Sequence, residues 1–291
     1  MMEILQQLIY GLTVGSVYAL IALGFSIIFQ TTGLLSFAHQ EVMVIGGMLG
    51  YTLLVSLGLP YPLALIGVLL VCAAVSVAIE KFCLAPIRNR RGGEINSIVA
   101  TIGIGIVINN AVMLIWGAYP LSYPQEHVSL PLNIGGIKLD SKQLGIFVVS
   151  LLAMVVLQFF LKMTRAGIAM RAAAADSVTA ALMGISAQRA SIVSFALSGA
   201  LAGLAGILIG DLYYTSFEMG TVGLKSLSAA VLGGFGSLPG AIAGGLALGV
   251  LETLVSVHLK GEFADSIVFS LLIVVLLTRP SGLFGRQHRE I

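Results

Sequence analysis

Few side chains able to hold charge or bind ions lie inside the apolar stretches of this sequence. His39 and Glu41 stand two apart in Leu35-Ser36-Phe37-Ala38-His39-Gln40-Glu41, at the head of a hydrophobic run. Asn109 and Asn110 are neighbours within another, and Lys225 and Glu252 occupy the two halves of a Gly-rich apolar region. An ionisable group costs roughly 2.5–3.5 kcal/mol at mid-bilayer on insertion scales, so each one needs a reason to be there. His39 and Glu41 either begin a polar lining for a translocation path or sit at a membrane interface, where the cost is small. The Asn pair either joins that lining or hydrogen-bonds a neighbouring helix. Lys225 and Glu252 could form a mutual ion pair across the Gly-rich turn, which sequence alone does not place.

Catalytic patterns are missing. No His-Glu-x-x-His occurs, and the four histidines His39, His127, His258 and His288 are far apart. The dipeptide Gly-Lys never occurs, so there is no Walker A loop, and any ATP-Mg would have to be bound by other chains. Gly103-Ile104-Gly105 lies in an apolar span with no preceding strand and is no dinucleotide site. Cys72 and Cys83 lie in or beside one apolar stretch, which suits packing residues rather than a disulfide or zinc site. No cofactor is expected in this chain, and a membrane enzyme is the least favoured class.

The composition supplies the setting. Of 291 residues 58% are hydrophobic and 10% charged, against about 25% charged in ordinary soluble domains. From Gln6 to Gln40 there is no Asp, Glu, Lys or Arg. A soluble globule is excluded, and a net charge of +2 is too small to mark a nucleic-acid partner. Glycine contributes 35 residues, an excess that suits helices packed backbone-close in lipid.

Spans of about 20 apolar residues cross a bilayer. They are expected at Leu8–Phe29, Val42–Leu59, Leu63–Ile79, Ile95–Trp116, Leu144–Leu161, Ala190–Gly210 and Ala264–Thr278. The region from Val222 to Val257 is broken by Gly233-Gly234-Phe235-Gly236-Ser237-Leu238-Pro239-Gly240 and reads as two segments, either two crossings or one crossing and one segment that enters and leaves on the same side. The expected fold is an all-α polytopic membrane protein, a single domain over residues 1–291 with eight or nine hydrophobic segments. Eleven Lys and Arg residues, among them Arg88, Lys162, Arg171, Arg189 and Arg279, fall on one side of a nine-crossing chain, against Lys138, Lys142 and Lys260 on the other. That asymmetry predicts an external N-terminus and a cytoplasmic C-terminus. No Lys or Arg precedes Lys81, so the first span is expected to be a retained anchor rather than a signal peptide.

The external stretch Gly117–Lys142 lacks the pattern of a domain. The cytoplasmic loop 162–189 is more informative. Its run from Ile168 to Met183 is Ala-rich with few breakers, Gly184 is a natural stop, and a second helix can start at Ser186. A short Ala-rich helix is marginal alone. It either docks into a groove on a partner or lies as a connector in the membrane interface.

Several segments together resemble one family. Gly11-Leu12-Thr13-Val14-Gly15-Ser16-Val17-Tyr18-Ala19-Leu20, with Ser36-Phe37-Ala38-His39 after it, resembles the start of branched-chain amino-acid ABC transporter permeases of the LivH type. So do Gly167 through Arg171, Asp176 and Gly184-Ile185, the stretch Ala229 to Ala241, and the tail Arg279 to Arg286. The resemblance spans essentially the whole chain. It implies an importer bundle in the inner membrane that works with a second homologous permease, two cytoplasmic ABC ATPases and a periplasmic or lipid-anchored binding protein. It also implies that Arg171, Asp176 and Gly184 belong to the ATPase-coupling surface.

Two positions depart from the family pattern: Gln40, where Gly is usual, and Ala175, where Glu is frequent. The first alters a site beside the candidate path, and the second removes a charge at the docking helix. The expected function is inward passage of leucine, isoleucine, valine or a related amino acid by alternating access. His39, Glu41, Asn109, Asn110 and Glu252 are the candidate pathway residues. The alternatives are a permease for urea, short amides or other amino acids, and a stand-alone secondary transporter or channel.

Overall fold

The computed structural model describes residues 2–89, 93–123, 131–134, 137–259, 261–279 and 282–284. His127, His288, Arg90, Arg91, Lys260, Arg286 and Arg289 lie outside the described residues. Twelve helices are described: α1 Met2–Thr32, α2 Ala38–Tyr51, α3 Tyr61–Ala78, α4 Ala85–Asn89, α5 Glu94–Trp116, α6 Ser141–Met163, α7 Arg165–Ala175, α8 Ser177–Leu182, α9 Ala187–Leu212, α10 Gly220–Gly233, α11 Leu238–Leu259 and α12 Glu262–Thr278. π-helical turns extend α2 over Thr52–Ser56 and join α3 to α4 over Ile79–Leu84.

α1 is the centre of the bundle. Val17, Leu20, Ile21, Leu23, Phe25, Ile27 and Ile28 are all buried, as expected of a helix apolar on every side. It packs against α11 and α9. Glycines set the spacing, because a Cβ on Gly15 would stand 2.9 Å from the Gly245 carbonyl oxygen. The α2–α9 contact is built the same way, with a Cβ on Gly46 falling 2.6 Å from Gly203 Cα. Close backbone approach through small residues is the usual solution for helices in lipid, where no hydrophobic drive presses helices together. α3, α5 and α6 stand further out and expose Leu70, Leu114 and Val156. These apolar outer surfaces suit a lipid boundary or another membrane subunit.

Six helices are long and apolar enough to cross a membrane, and Phe263–Thr278 is a shorter apolar helix. α10 has 14 residues, about 21 Å at 1.5 Å per residue and short of a hydrocarbon core of ~30 Å, while the 14 residues of α2 are carried on to Ser56 by the π turn. With them, the described residues hold nine apolar helical segments. The Val222–Val257 region is two helices, α10 and α11, reversed at Gly234 (φ +100°) and Gly236 (φ +77°). Leu283 and Phe284 donate their N–H groups to the carbonyls of Leu232 and Gly233 at 2.9 and 3.1 Å, which docks the tail beside that turn.

Two local expectations are corrected. The Ala-rich run is broken into α7 and α8 at Asp176, whose carboxylate captures the first amides of a new helix instead of letting the old one continue. The 117–142 stretch carries an antiparallel hairpin, β1 Pro131–Ile134 and β2 Ile137–Asp140, and Leu121 pairs with Thr215 through two 2.8 Å backbone bonds. The bundle has two distinct ends. At one, Glu80 Oε1 accepts from Ser191 Oγ (2.6 Å) and Arg88 (2.7 Å), tying the end of α3 to the start of α9. At the other, Lys142 pairs with Asp211 at 3.0 Å and Tyr10 donates to the Tyr213 hydroxyl at 2.8 Å.

Candidate functional site

Glu41 and Asn109 are 68 residues apart in sequence and meet inside the bundle. Asn109 Nδ2 donates to Glu41 Oε2 at 3.1 Å and to the Phe217 carbonyl at 2.8 Å. Three elements converge there because each begins or passes within the bundle. α2 starts where the Phe37 N–H bonds Thr101 of α5 at 3.2 Å. The chain leaving α9 turns back through a 3₁₀ turn at Phe217–Met219 before α10 begins at Gly220. Together they line a cavity of about 600 Å³, walled by Glu41, Asn109, Tyr213, Tyr214, Ser216 and Phe217 among others. Gln40 donates to Glu41 Oε1 at 3.4 Å, and its side chain is accommodated because Gly223 opposite has no Cβ to collide with it.

The other pathway candidates do not line this cavity. His39 lies about 200° around α2 from Glu41, with 2% exposure, edge-on to Phe25 at 4.7 Å and hydrogen-bonded through Nδ1 to Ser198 at 2.9 Å. It packs α2 against α1 and α9 rather than facing the cavity. Asn110 bonds the Ile106 carbonyl of its own helix at 2.8 Å and lines a smaller groove of about 300 Å³ on which Gln40, Glu41 and Asn109 also border, so it adjoins the cavity without lining it. Glu252 accepts from Tyr18 at 2.7 Å and from Lys225 at 2.7 Å, joining α1, α10 and α11.

The coupling-loop candidates form one compact unit at the basic end. Thr164 caps α7 by accepting the Gly167 N–H at 3.0 Å, and Asp176 caps α8 by accepting the Val178 and Thr179 N–H groups at 2.9 and 3.2 Å. The Thr179 hydroxyl also bonds Asp176, and with those amides it holds the carboxyl below the usual carboxylate range. Gly184 (φ +81°) ends α8, and Ser186 caps α9 through the Arg189 N–H at 3.4 Å. Met170, Ala173 and Ala180 anchor the unit to the bundle. Facing away from it, Val178, Leu182 and Met183 are 71%, 84% and 79% exposed. Arg171 is exposed on the same unit.

Residues 7–277 match the family described as "Branched-chain amino acid transport system / permease component". The chain belongs to that family. It is 36% identical to the high-affinity branched-chain amino acid transport system permease protein LivH of Salmonella typhimurium, covering 98% of this chain and 97% of the other. It is 38% identical to the corresponding protein BraD of Pseudomonas aeruginosa, with the same coverage. Among solved structures, PsaBC from Streptococcus pneumoniae in complex with Fab superposes with a TM-score of 0.52 at 13% identity, covering 94% of this chain and 91% of that one. That likeness concerns the fold alone. The permease is a multi-pass membrane protein.

The 213–222 segment, which supplies most of the cavity wall, was not among the sequence candidates. Its signal was present, since Tyr213-Tyr214-Thr215-Ser216-Phe217-Glu218 interrupts two apolar runs, but nothing in that pattern says the segment folds back toward Glu41. Tyr18, which donates to Glu252, and Asp265, which lies 2.6 Å from the Lys225 ammonium, were missed for a similar reason: their partners come from other helices.

Proposed function

We propose that this permease is the membrane-spanning subunit of an ATP-driven importer for leucine, isoleucine, valine or a related amino acid. ATP is bound and hydrolysed by two separate cytoplasmic ATPase chains. A second, homologous permease completes the channel, and a periplasmic or lipid-anchored binding protein delivers substrate to the external face. The N-terminus lies outside and the C-terminus in the cytoplasm. Arg171, Asp176 and Gly184 belong to the surface that receives the ATPases.

The observation that carries this reading is the α7–α8 unit. Short helices are marginal without tertiary support, yet here Thr164 and Asp176 cap them while Val178, Leu182 and Met183 point away from the bundle. Such an apolar knob, anchored to α9 and α1 at its back, can carry a push from a docked partner into the bundle. Closure of the ATPases would then switch the pathway between inward- and outward-open states.

The test is ATP-dependent uptake of labelled leucine in vesicles holding this chain and its presumed partners. Leu182→Glu is the variant of choice, because Leu182 is solvent-exposed in the isolated chain and the substitution leaves the bundle intact. Uptake that requires ATP and falls at least 10-fold in L182E, with ATPases lost on purification, supports the reading. Uptake by this chain alone, indifferent to ATP and to the substitution, overturns it in favour of a secondary transporter.

A further inference from the structure

We infer that Glu41 is the counter-charge for the α-ammonium group of the transported amino acid, inside the cavity between α2, α5 and the 213–222 segment. The inference rests on the transport reading above and specifies its substrate chemistry.

Glu41 is 6% exposed. Among the described residues its carboxylate accepts two hydrogen bonds, from the neutral amides of Asn109 (3.1 Å) and Gln40 (3.4 Å), although a carboxylate offers about four acceptor positions. Among the described residues no cation pairs with it. The ion pairs of the described residues engage Glu80, Asp211, Glu252 and Asp265. Lys225, the basic residue of α10, is committed to Glu252 and Asp265. Glu41 sits in the first turn of α2, and the start of α10 is close by, since a Cβ on Gly220 would lie 3.1 Å from Oε1. A helix N-terminus supplies about half a charge at most, so neither is a full counter-ion for the buried carboxylate.

Burying a carboxylate without a partner is costly. That cost is offset when a ligand brings the cation, and the attraction is stronger in a site that excludes water. An ammonium group has three donors for the positions Glu41 leaves open. A second carboxylate, Glu218, also lines the wall but is solvent-exposed, unlike Glu41, and most of the remaining wall fits the same ligand. Ile209, Met219 and Val222 offer an apolar surface for an aliphatic side chain, and the hydroxyls of Tyr213, Tyr214 and Ser216 can receive a carboxylate. A volume of about 600 Å³ lies within the roughly 300–1,000 Å³ of small-molecule sites. The site is therefore built for a zwitterion with an apolar side chain, and against urea or a neutral amide.

The experiment uses the intact complex in nanodiscs without ATP. Thr221, exposed on the cavity wall, becomes the reporter as Thr221→Cys in a Cys83→Ala background; Cys72 is buried. The expected result is that leucine slows maleimide labelling, whereas 4-methylpentanoic acid, which has the same carbon skeleton and no amine, does not. Glu41→Gln is expected to raise the half-protecting leucine concentration at least 10-fold. Equal protection by the deaminated acid overturns the assignment, and so does protection within twofold of wild type in E41Q. The comparison of the two ligands needs no change at Glu41, so it decides the matter even if E41Q fails to assemble. Because no ATP is present, leucine protection in a complex that shows no ATP-driven uptake overturns the transport reading and leaves the site standing.

Discussion

Lys225 Nζ lies 2.7 Å from Glu252 Oε1 and 2.6 Å from Asp265 Oδ1, so one lysine ties α10 to both α11 and α12. Tyr18 Oη adds α1 by donating to the second Glu252 oxygen at 2.7 Å. One cation thus serves two carboxylates, and the tyrosine hydroxyl satisfies part of the remaining demand. Four helices that share little sequence proximity are fixed at one point.

Removing the lysine is expected to hurt more than removing the pair. Lys225→Met leaves Glu252 facing Asp265 without a cation, and loss of one partner of a buried pair costs about 3–5 kcal/mol. The side chains are 12% and 15% exposed, which moves the expected cost toward the lower figure. K225M combined with Glu252→Gln should recover at least half of it. Thermal unfolding of the single and double variants in detergent gives the coupling, and equal losses in K225M and the double variant would refute it.

The glycine contacts make a second prediction. A Cβ on Gly206 would collide with the Met43 carbonyl oxygen of α2, and no flexible side chain stands there to yield. Gly206→Ala should therefore force α2 and α9 apart at an overpacking cost of about 1–3 kcal/mol. Gly103 and Gly145 face open space, so alanine there should be neutral or add up to ~1 kcal/mol of helix propensity. Detergent stability of the three variants should separate cleanly.

The spans were legible because apolar length alone signals them, and the end of one segment near Leu59 and the start of the next near Leu63 follow from Pro60 and Pro62. Glycine excess foretold close packing without saying which helices meet, since Gly15 and Gly245 are paired by tertiary structure. Among the polar residues, the rotation of one helix decided the outcome. Glu41 and His39 are two residues apart, which places them on opposite faces of α2, one in the cavity and one against Ser198. The break at Asp176 was also readable in principle, because aspartate is a strong N-cap. The alanines around it argued for continuity, and the capping hydrogen bonds prevailed.

Asp176 also supplies a pH dependence. Its carboxyl is held below the ordinary range by the Thr179 hydroxyl and by the amides of Thr179 and Val178. A depressed folded-state pKa means the cap's contribution is complete above the unfolded carboxylate pKa of about 3.9. It is lost as pH falls through the lower folded value. Amide exchange across Ser177–Leu182, corrected for intrinsic rates, should show constant protection from pH 7 to about 5 and a drop only in the acid range below the ordinary carboxylate pKa. Asp176→Asn, a comparable cap, should retain the neutral-pH protection and remove the acid step. A loss of protection already at pH 6 would contradict the capping role.

Gly184 isolates backbone conformation from packing. It closes α8 with a Schellman motif: Gly184 N–H bonds the Ala181 carbonyl at 3.0 Å and Ile185 N–H the Ala180 carbonyl at 2.9 Å. Its φ is +81°, and a Cβ there would meet nothing within 4 Å. The penalty of Gly184→Ala is therefore conformational, about 1–2 kcal/mol for a left-handed residue, and Gly184→Asn should cost less because asparagine tolerates that region. If the α8 turn transmits the ATPase stroke, leucine uptake should fall in the order wild type, G184N, G184A while assembly is retained. A bulky but flexible residue would fill empty space, so an order set by side-chain volume rather than by tolerance of positive φ would show that the position contacts a partner directly and that the backbone turn is secondary.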